Sequence, residues 1–372
     1  MFSFSRQCLL AGPRVTANLI FNVMKYINQL EPNELIDNFL AHPPQEFSAW
    51  LSEDGVPVFS AKFDLLTTAD DDFRHKIQKL PFYHKWQRYL QPNTCFVGAT
   101  VSEYALLNDK VDANQLAQHL KTAYAKQYPF LIVKDIPIAS PLLRDKENDY
   151  SMHLISSLKE QGFIEVEGQA LAWLPIDFVN IDEIFSRFSY SRRKNFRRKL
   201  KSREKLVINM LHSGDECFYD QAVLDEYYQL YLNVYQQSEI HFDLLTKPFF
   251  TQLLQSKIQN AHIVTYHHDD KLVGYNICFV VNNMLVDKYI GMVYPQAREL
   301  NLYFVSWFVN LEYALQQGFS HYIAGWTDPE VKASLGAKFT FTKHLVYIRN
   351  PLLRAVLRRL IGHFESDKEK VA

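Results

Sequence analysis

The chain has 372 residues, with 48% hydrophobic and 22% charged residues and a formal net charge of −1. That length exceeds one small core and predicts two domains, and the near-neutral balance excludes a protein that coats nucleic acid over its whole surface. Phe (27) and Tyr (21) are abundant and Gly (12) is scarce, which favours well-packed elements over glycine-rich phosphate loops.

The first half reads as mixed α/β. "PNELIDNFLA" (32–41) is predicted helical with Asn33 as its cap, and "VPVFSAKFDLL" (56–66) alternates like a strand. "DFRHKIQKLPFYHKWQRYL" is helical but broken by Pro81, and "TCFVGATVSEYALL" (94–107) is rich in strand formers. "ANQLAQHLKTAYAKQY" (113–128) is a helix ended by Pro129, followed by the buried strand "FLIVKDI". "DYSMHLISSLKEQG" is a helix closed by Gly162, and "FIEVEGQALAWLPI" (163–176) is predicted to form a hairpin around Glu167-Gly168.

A boundary falls near "PIDFVNIDEIFSRF" (175–188). A basic helix follows, then strand "KLVINML", the amphipathic helix "QAVLDEYYQLYLNVYQQS" (221–238), and "TKPFFTQLLQSKI" with Thr246 as its cap. "AHIVTYHH", "KLVGYNICFVV" and "MLVDKYIGMV" make an antiparallel meander with turns at His268-Asp269-Asp270 and Asn282-Asn283. Next come helix "ELNLYFVSWFVNLEYALQQG" (299–318), strand "HYIAGW", short helix "DPEVKASLG" capped by Asp328, and strand "KHLVYI". From Pro351 an amphipathic helix sets Leu353, Val356, Leu357, Leu360 and Phe364 opposite Arg354, Arg358 and Arg359. It is expected to pack its apolar side on the domain and leave the basic side in water, with peripheral membrane contact as the alternative. The series is α+β and not an alternating βαβ repeat, which disfavours a doubly wound dinucleotide fold.

Cys8, Cys95, Cys217 and Cys278 show no paired spacing and read as buried thiols of a reducing compartment. No apolar run of about 18 residues exists, and the opening segment makes a poor signal peptide, so the expected location is cytoplasmic. His267-His268 in a turn point to opposite sides, and no metal site is expected.

The basic segment "YSRRKNFRRKLKSREK" (190–205) is the strongest local signal. From Arg187 to Lys205 ten basic residues meet only Glu204, a charge of +9 in a remainder of −10. Phe196 and Leu200 give the helix an apolar stripe, and the other faces carry uncompensated charge, which points to an anionic partner.

The pieces between Tyr190 and Ala337, in order, resemble the GNAT superfamily, in the branch of Fem-type aminoacyl transferases and BioF2-like acyltransferases. They are "RRKNFRRKLK", "EYYQLYLNVYQQS" with "FFTQLL", "IVTYHHDDKLVGYNICF", "DKYIGMVYPQARELNLYF" and "GWTDPEVKASLGA". The resemblance implies tandem GNAT-like domains, each a central mixed or antiparallel sheet flanked by helices. Residues 1–180 would be a divergent N-terminal copy, 181–350 the acyltransferase domain, and 351–372 the basic helix and tail. One departure stands out: no glycine occurs between Gly291 and Gly318, where acetyl-CoA-binding members carry a glycine-rich pyrophosphate loop.

The resemblance implies an N-acyltransferase with no permanently bound cofactor. The leading donor is an acyl thioester, on CoA or a carrier protein. Aminoacyl-tRNA as donor, and a non-catalytic anion-binding module, are the alternatives. The acceptor is a small-molecule or peptide amine. Arg192, Arg193, Arg197 and Arg198 would hold the donor's phosphates. Lys332 would stabilise the carbonyl oxyanion, with Glu330 or Asp328 near the amine and Trp326 beside them. Asp287 and Tyr289, read as sharing one strand face with Gly291, would line the acyl cleft, and Tyr303 would be a proton donor to the leaving group. Glu103 would serve as a general base, or be a surface acid.

Overall fold

The structure is a computed structural model that describes residues 24–66, 71–238 and 241–360. The opening segment with Cys8, the tail beyond 360 with Phe364, and the side chains of Leu357 and Leu360 lie outside what it describes.

Eleven strands form among the described residues: β1 Ser48–Leu51, β2 Pro57–Lys62, β3 Asn93–Val97, β4 Phe130–Ile138, β5 Ile164–Pro175, β6 Val207–His212, β7 Ala261–His268, β8 Lys271–Val281, β9 Met284–Met292, β10 His321–Gly325 and β11 Lys338–Ile348. The chain divides into two compact units. Unit I takes the described residues of 24–173, 241–252 and 324–360; unit II takes Leu174–Ser238 and Leu253–Ile323. Neither is one continuous stretch. Strand β11, which the linear division 181–350 gives to the second domain, pairs with β4 on one side and β5 on the other, so it belongs to the sheet of unit I.

In unit I the sheet runs β1-β2-β3-β4-β11-β5, antiparallel except for the parallel pair β3/β4. Its core includes Val58, Cys95, Val97, Leu131, Val133 and Leu345, covered by Leu116 and Leu120 of the helix Ala113–Tyr124 and by Leu154 and Leu158 of the helix Asp145–Glu160. The hairpin expected around Glu167-Gly168 does not form. β5 is one long strand beside β11, and the ladder slips there, between Phe341 and Lys343. Gly168 is needed for that slip, because a Cβ on it would run into the Thr342 side chain and backbone. Of 94–107 only the start is strand; Gly98, at φ +127°, ends β3. The helix Asn33–Ala41 has Pro32, not Asn33, at its cap, and Asn33 Oδ1 accepts from Lys25 N and Gln29 Nε2 instead.

Unit II is the expected meander, ordered β6-β7-β8-β9 with β10 added parallel to β9. Both hairpin turns place two consecutive residues at positive φ, Asp269 and Asp270 (50° and 59°), then Asn282 and Asn283 (49° and 60°). That is the type I′ geometry whose twist matches the flanking strands, and Asp and Asn tolerate it better than most side chains.

A helix covers each face of this sheet. On one side Asn310 of the helix Leu302–Gln317 reaches β9, and a Cβ on Gly274 would strike Leu302. On the other, a Cβ on Gly291 would meet the ring of Tyr275 and Leu230 of the helix Gln221–Gln237. Glycine at both places lets the helices approach the sheet closely. Thr246 caps the helix Lys247–Gln255, with Oγ1 accepting from Phe249 N at 3.4 Å.

Cys95 and Cys278 are buried thiols, as expected, but Cys217 is exposed. In the terminal helix Pro351–Leu360 the described side chains depart from the expected packing. Asn350 caps it, and Arg354 pins it: the guanidinium stacks 4.1 Å from the Tyr347 ring centre and donates twice to Ile348 O. The apolar side chains Leu352, Leu353 and Val356 are left 77%, 51% and 50% exposed.

Candidate functional site

The basic helix Tyr190–Leu200 is capped by Ser189, whose Oγ accepts from Arg192 N. Phe196 is its one buried side chain, ringed by Phe185, Phe188, Phe304 and Phe308 at centroid distances of 5.0 to 5.9 Å. That aromatic socket holds the helix on unit II and turns its arginines outward. Arg187 pairs with Asp177 and Glu183, Arg197 with Asp182 at 3.4 Å, and Arg203 with Glu312 at 2.6 Å. Among the described residues no carboxylate lies within ion-pair reach of Arg192, Arg193, Lys194, Arg198, Lys199, Lys201 or Lys205. Seven cations on one short segment of unit II therefore keep their charge available to an outside anion.

Asp287 on β9 is the best-furnished carboxylate of the same unit. Oδ1 accepts from Asn276 Nδ2 at 3.0 Å and from the Cys278 thiol at 3.6 Å. Oδ2 accepts from Asn276 Nδ2 and Asn310 Nδ2, both at 3.0 Å, and from the Tyr322 hydroxyl at 2.8 Å. Burial pushes the Tyr322 phenol and the Cys278 thiol well above their ordinary pKa values, and the charge of Asp287 adds to this, so both remain protonated donors. The two amides spend their N–H groups on Asp287, while Asn276 Oδ1, Asn310 Oδ1 and the Tyr266 hydroxyl have no protein partner. Both amides are fully buried, whereas Asp287 is only partly so, and its carboxylate can receive a hydrogen of an amine or ammonium group.

Simple alternation put Asp287 and Tyr289 on one face of β9, and the ladder corrects this. Asp287 lies opposite Cys278 and Tyr289 opposite Ile277, which leaves Lys288 as an extra residue in a bulge. Because Cys278 and Ile277 point to opposite sides, so do Asp287 and Tyr289. Asp287 faces the helix Leu302–Gln317; Tyr289 and Gly291 face the helix Gln221–Gln237. Tyr303 lies half-buried with its ring against the core of Val264, Val305 and Val309.

Lys332, Glu330, Asp328, Trp326 and Glu103 all belong to unit I. Lys332, in the short helix Pro329–Ser334, is only 3% exposed, whereas Glu330 and Asp328 are exposed. The Lys332 ammonium sits 3.9 Å from where a Cβ on Gly325 would stand. Asp328 does not cap the helix; it holds a left-handed turn at φ 52° and makes no side-chain cap bond. Trp326 packs edge-on against Tyr104 at 6.2 Å. The Tyr104 hydroxyl bonds Ser140 Oγ at 2.8 Å and Thr340 Oγ1, and burial pushes its pKa up. Glu103 is not a surface acid: it is 1% exposed, and its backbone N–H donates to Glu31 Oε1. The pair Gly325-Trp326 thus brings Lys332 and the Glu103-Tyr104 turn into one neighbourhood of unit I.

Sequence reasoning passed over Tyr322, Asn276, Asn310 and Glu31. The first three sit in β10, β8 and a helix whose apolar composition hides single polar residues. Only the pairing of β8 with β9 and β9 with β10 aims them at one carboxylate.

A search of curated proteins finds no match. Among solved structures, L-PGS from Bacillus licheniformis superposes with a TM-score of 0.52 at 12% identity, covering 91% of this chain and 99% of that one. The C-terminal domain of a putative lysylphosphatidylglycerol synthetase from Agrobacterium fabrum follows at 0.50 and 10% identity, covering 87% and 90%. FemX gives 0.49 at 12% identity, covering 89% of this chain and all of its own. At such identities the likeness is one of fold, and the fold is GNAT-like, as the order of elements led one to expect. The FemAB-like family model, described as peptidoglycan biosynthesis/recognition, matches residues 78–371. The chain belongs to the FemAB-like family.

Proposed function

We propose that this protein is an aminoacyl transferase that moves an aminoacyl group from a tRNA ester to an amine of a peptidoglycan precursor. The observation that carries this reading is the helix Tyr190–Leu200 with its run of unpaired cations. Such a surface suits the phosphates of a nucleic acid, and arginine grips each phosphate with two parallel N–H groups. The glycine-free stretch between Gly291 and Gly318 supports it, since a side-chain-free loop of backbone N–H groups for a CoA pyrophosphate is missing.

In this reaction the amine nitrogen attacks the ester carbonyl, the new C–N bond forms, the C–O bond to the ribose breaks, and one amine proton ends on the ribose hydroxyl. Within unit II, Asp287 would hold the acceptor amine, with Asn276, Asn310 and Tyr322 fixing the carboxylate from behind. Arg192, Arg193, Arg197 and Arg198 would hold the donor. Within unit I, Lys332 is proposed to meet an anionic oxygen of a substrate, where buried positive charge acts more strongly than solvated charge. Glu330, Asp328 and Trp326 in unit I, and Tyr289 and Tyr303 in unit II, are proposed as secondary substrate contacts within their own units; Glu103, being buried, is proposed only as a support of the unit I neighbourhood.

A second reading, with an acyl thioester as donor, draws on the net charge of −1, which is modest for a tRNA-binding protein. A transfer assay decides between them: labelled aminoacyl-tRNA and labelled acyl-CoA, each with and without ribonuclease. Product from the tRNA arm alone, abolished by ribonuclease and by Arg192→Glu/Arg193→Glu, is the expected result. Product from the CoA arm alone establishes the second reading. Salt-dependent RNA binding without product from either donor, unaltered by Lys332→Met, overturns both in favour of a non-catalytic module.

A further inference from the structure

The terminal helix Pro351–Leu360 leaves large apolar side chains in water. Arg354 is its anchor, on the ring of Tyr347 and the carbonyl of Ile348, while Leu352, Leu353 and Val356 stand exposed. Arg358 and Arg359 are also exposed, and no acidic residue occurs from Arg349 to Leu360.

A second segment of unit I has the same chemistry. Between β2 and β3, Leu80, Phe82 and Tyr89 are 46%, 67% and 69% exposed. The two rings meet cations and not a core: Lys85 Nζ lies over Phe82 at 5.3 Å and the Arg88 guanidinium over Tyr89 at 5.0 Å. From Arg74 to Gln91 there are five Lys or Arg residues and no acid.

Strand register puts both segments at one end of the sheet of unit I. Lys62, the last residue of β2, pairs with Asn93; Thr94 pairs with Phe130; and Phe130 pairs with Ile348, the last residue of β11. The 63–92 excursion therefore leaves from, and returns to, the same sheet end from which the terminal helix departs. Three strand spacings, roughly 15 Å, separate the two exits, comparable to the length of the helix itself.

We infer that this end of unit I is a docking face for an anionic lipid surface. Exposed aliphatic and aromatic side chains flanked by Lys and Arg are what the headgroup–acyl boundary accepts, the apolar parts entering it and the cations meeting lipid phosphates. Nucleic acid fits less well, because Leu80, Leu352, Leu353 and Val356 offer no ring on which a base can stack. A second copy of the chain would bring Arg358 and Arg359 against their own equivalents in a two-fold contact.

The test is co-sedimentation of the full chain with vesicles of phosphatidylcholine, alone or mixed with phosphatidylglycerol. Binding is expected to the mixed vesicles, to weaken with salt, and to fall about tenfold or more in Arg358→Glu/Arg359→Glu, at about one tenfold step per 1.4 kcal/mol and about 1 kcal/mol per basic residue near the surface. Leu353→Glu/Val356→Glu and Phe82→Ser/Tyr89→Ser are each expected to abolish it while leaving thermal unfolding unchanged, since these side chains are exposed. Independently of any folding effect, brominated lipid should quench Trp86, read as the difference from Trp86→Phe. Absence of vesicle binding by the unaltered chain overturns the inference. So does binding that survives Leu353→Glu/Val356→Glu, binding of RNA at this face in place of vesicles, or a dimer that those same substitutions dissolve.

Discussion

Two arginine-rich helices of this protein, Tyr190–Leu200 and Pro351–Leu360, have similar compositions and opposite dispositions. The first buries its apolar stripe through Phe196 and offers its charges to solvent. The second hands one arginine to the body of unit I and offers Leu352, Leu353 and Val356 to solvent. Helical periodicity says which residues share a face. It does not say which face turns inward, because that depends on what the neighbouring strands and helices present. An aromatic socket of Phe185, Phe188, Phe304 and Phe308 accepts a phenyl ring, whereas Tyr347 and the carbonyl of Ile348 accept a guanidinium.

The sharpest way to break the contrast is at Phe196. Phe196→Ala empties the socket and is expected to lower stability by about 3–5 kcal/mol, read by chemical denaturation, with RNA or donor binding by the helix lost in parallel. If stability holds and only binding falls, the ring is not the anchor.

The second test sets solvated charge against buried charge within unit II. His262 is buried, beside His212 and within reach of the Tyr313 hydroxyl, and burial lowers its pKa from 6.5 to about 4, with His212 adding to the effect. The folded value lies below the unfolded one, so between them the unfolded chain takes up a proton that the folded chain refuses. Stability is complete above pH 6.5 and declines as pH falls toward 4, by about 3 kcal/mol at the limit. His262→Gln should flatten that acid limb in denaturation measured across the pH range. The exposed arginines of the basic helix should contribute nothing to it.

Smaller effects come from the terminal helix. Arg354→Ala removes a stacking contact and two hydrogen bonds to Ile348 O, a loss of about 1–3 kcal/mol, seen as earlier protease cleavage near residue 350. Leu353→Ser, on the face already in water, should change stability by less than about 0.5 kcal/mol. A large loss there would mean that the leucine is buried in solution.

Much of unit II was legible in the chain. Its strands are consecutive, its turns are two residues of Asp or Asn, and its helices carry regular apolar stripes, so local rules suffice. Unit I was harder. β11 arrives from the far end of the chain to lie between β4 and β5, and no local pattern announces such a pairing. The site divides in the same manner. The basic helix is visible as composition, and Asp287 was singled out from its strand. The faces of Asp287 and Tyr289 were misjudged because one bulged residue, Lys288, reverses everything beyond it.

Composition, turn chemistry and the order of elements thus determined the family, the meander and the charged helix, because each depends on interactions within about ten residues. Tertiary structure alone decided which faces are buried, that Lys332 is enclosed while Glu330 is not, and that Asn276, Asn310 and Tyr322 converge on one carboxylate. Those outcomes rest on strand register and on the shape of the surface opposite, and both are set by residues distant in sequence.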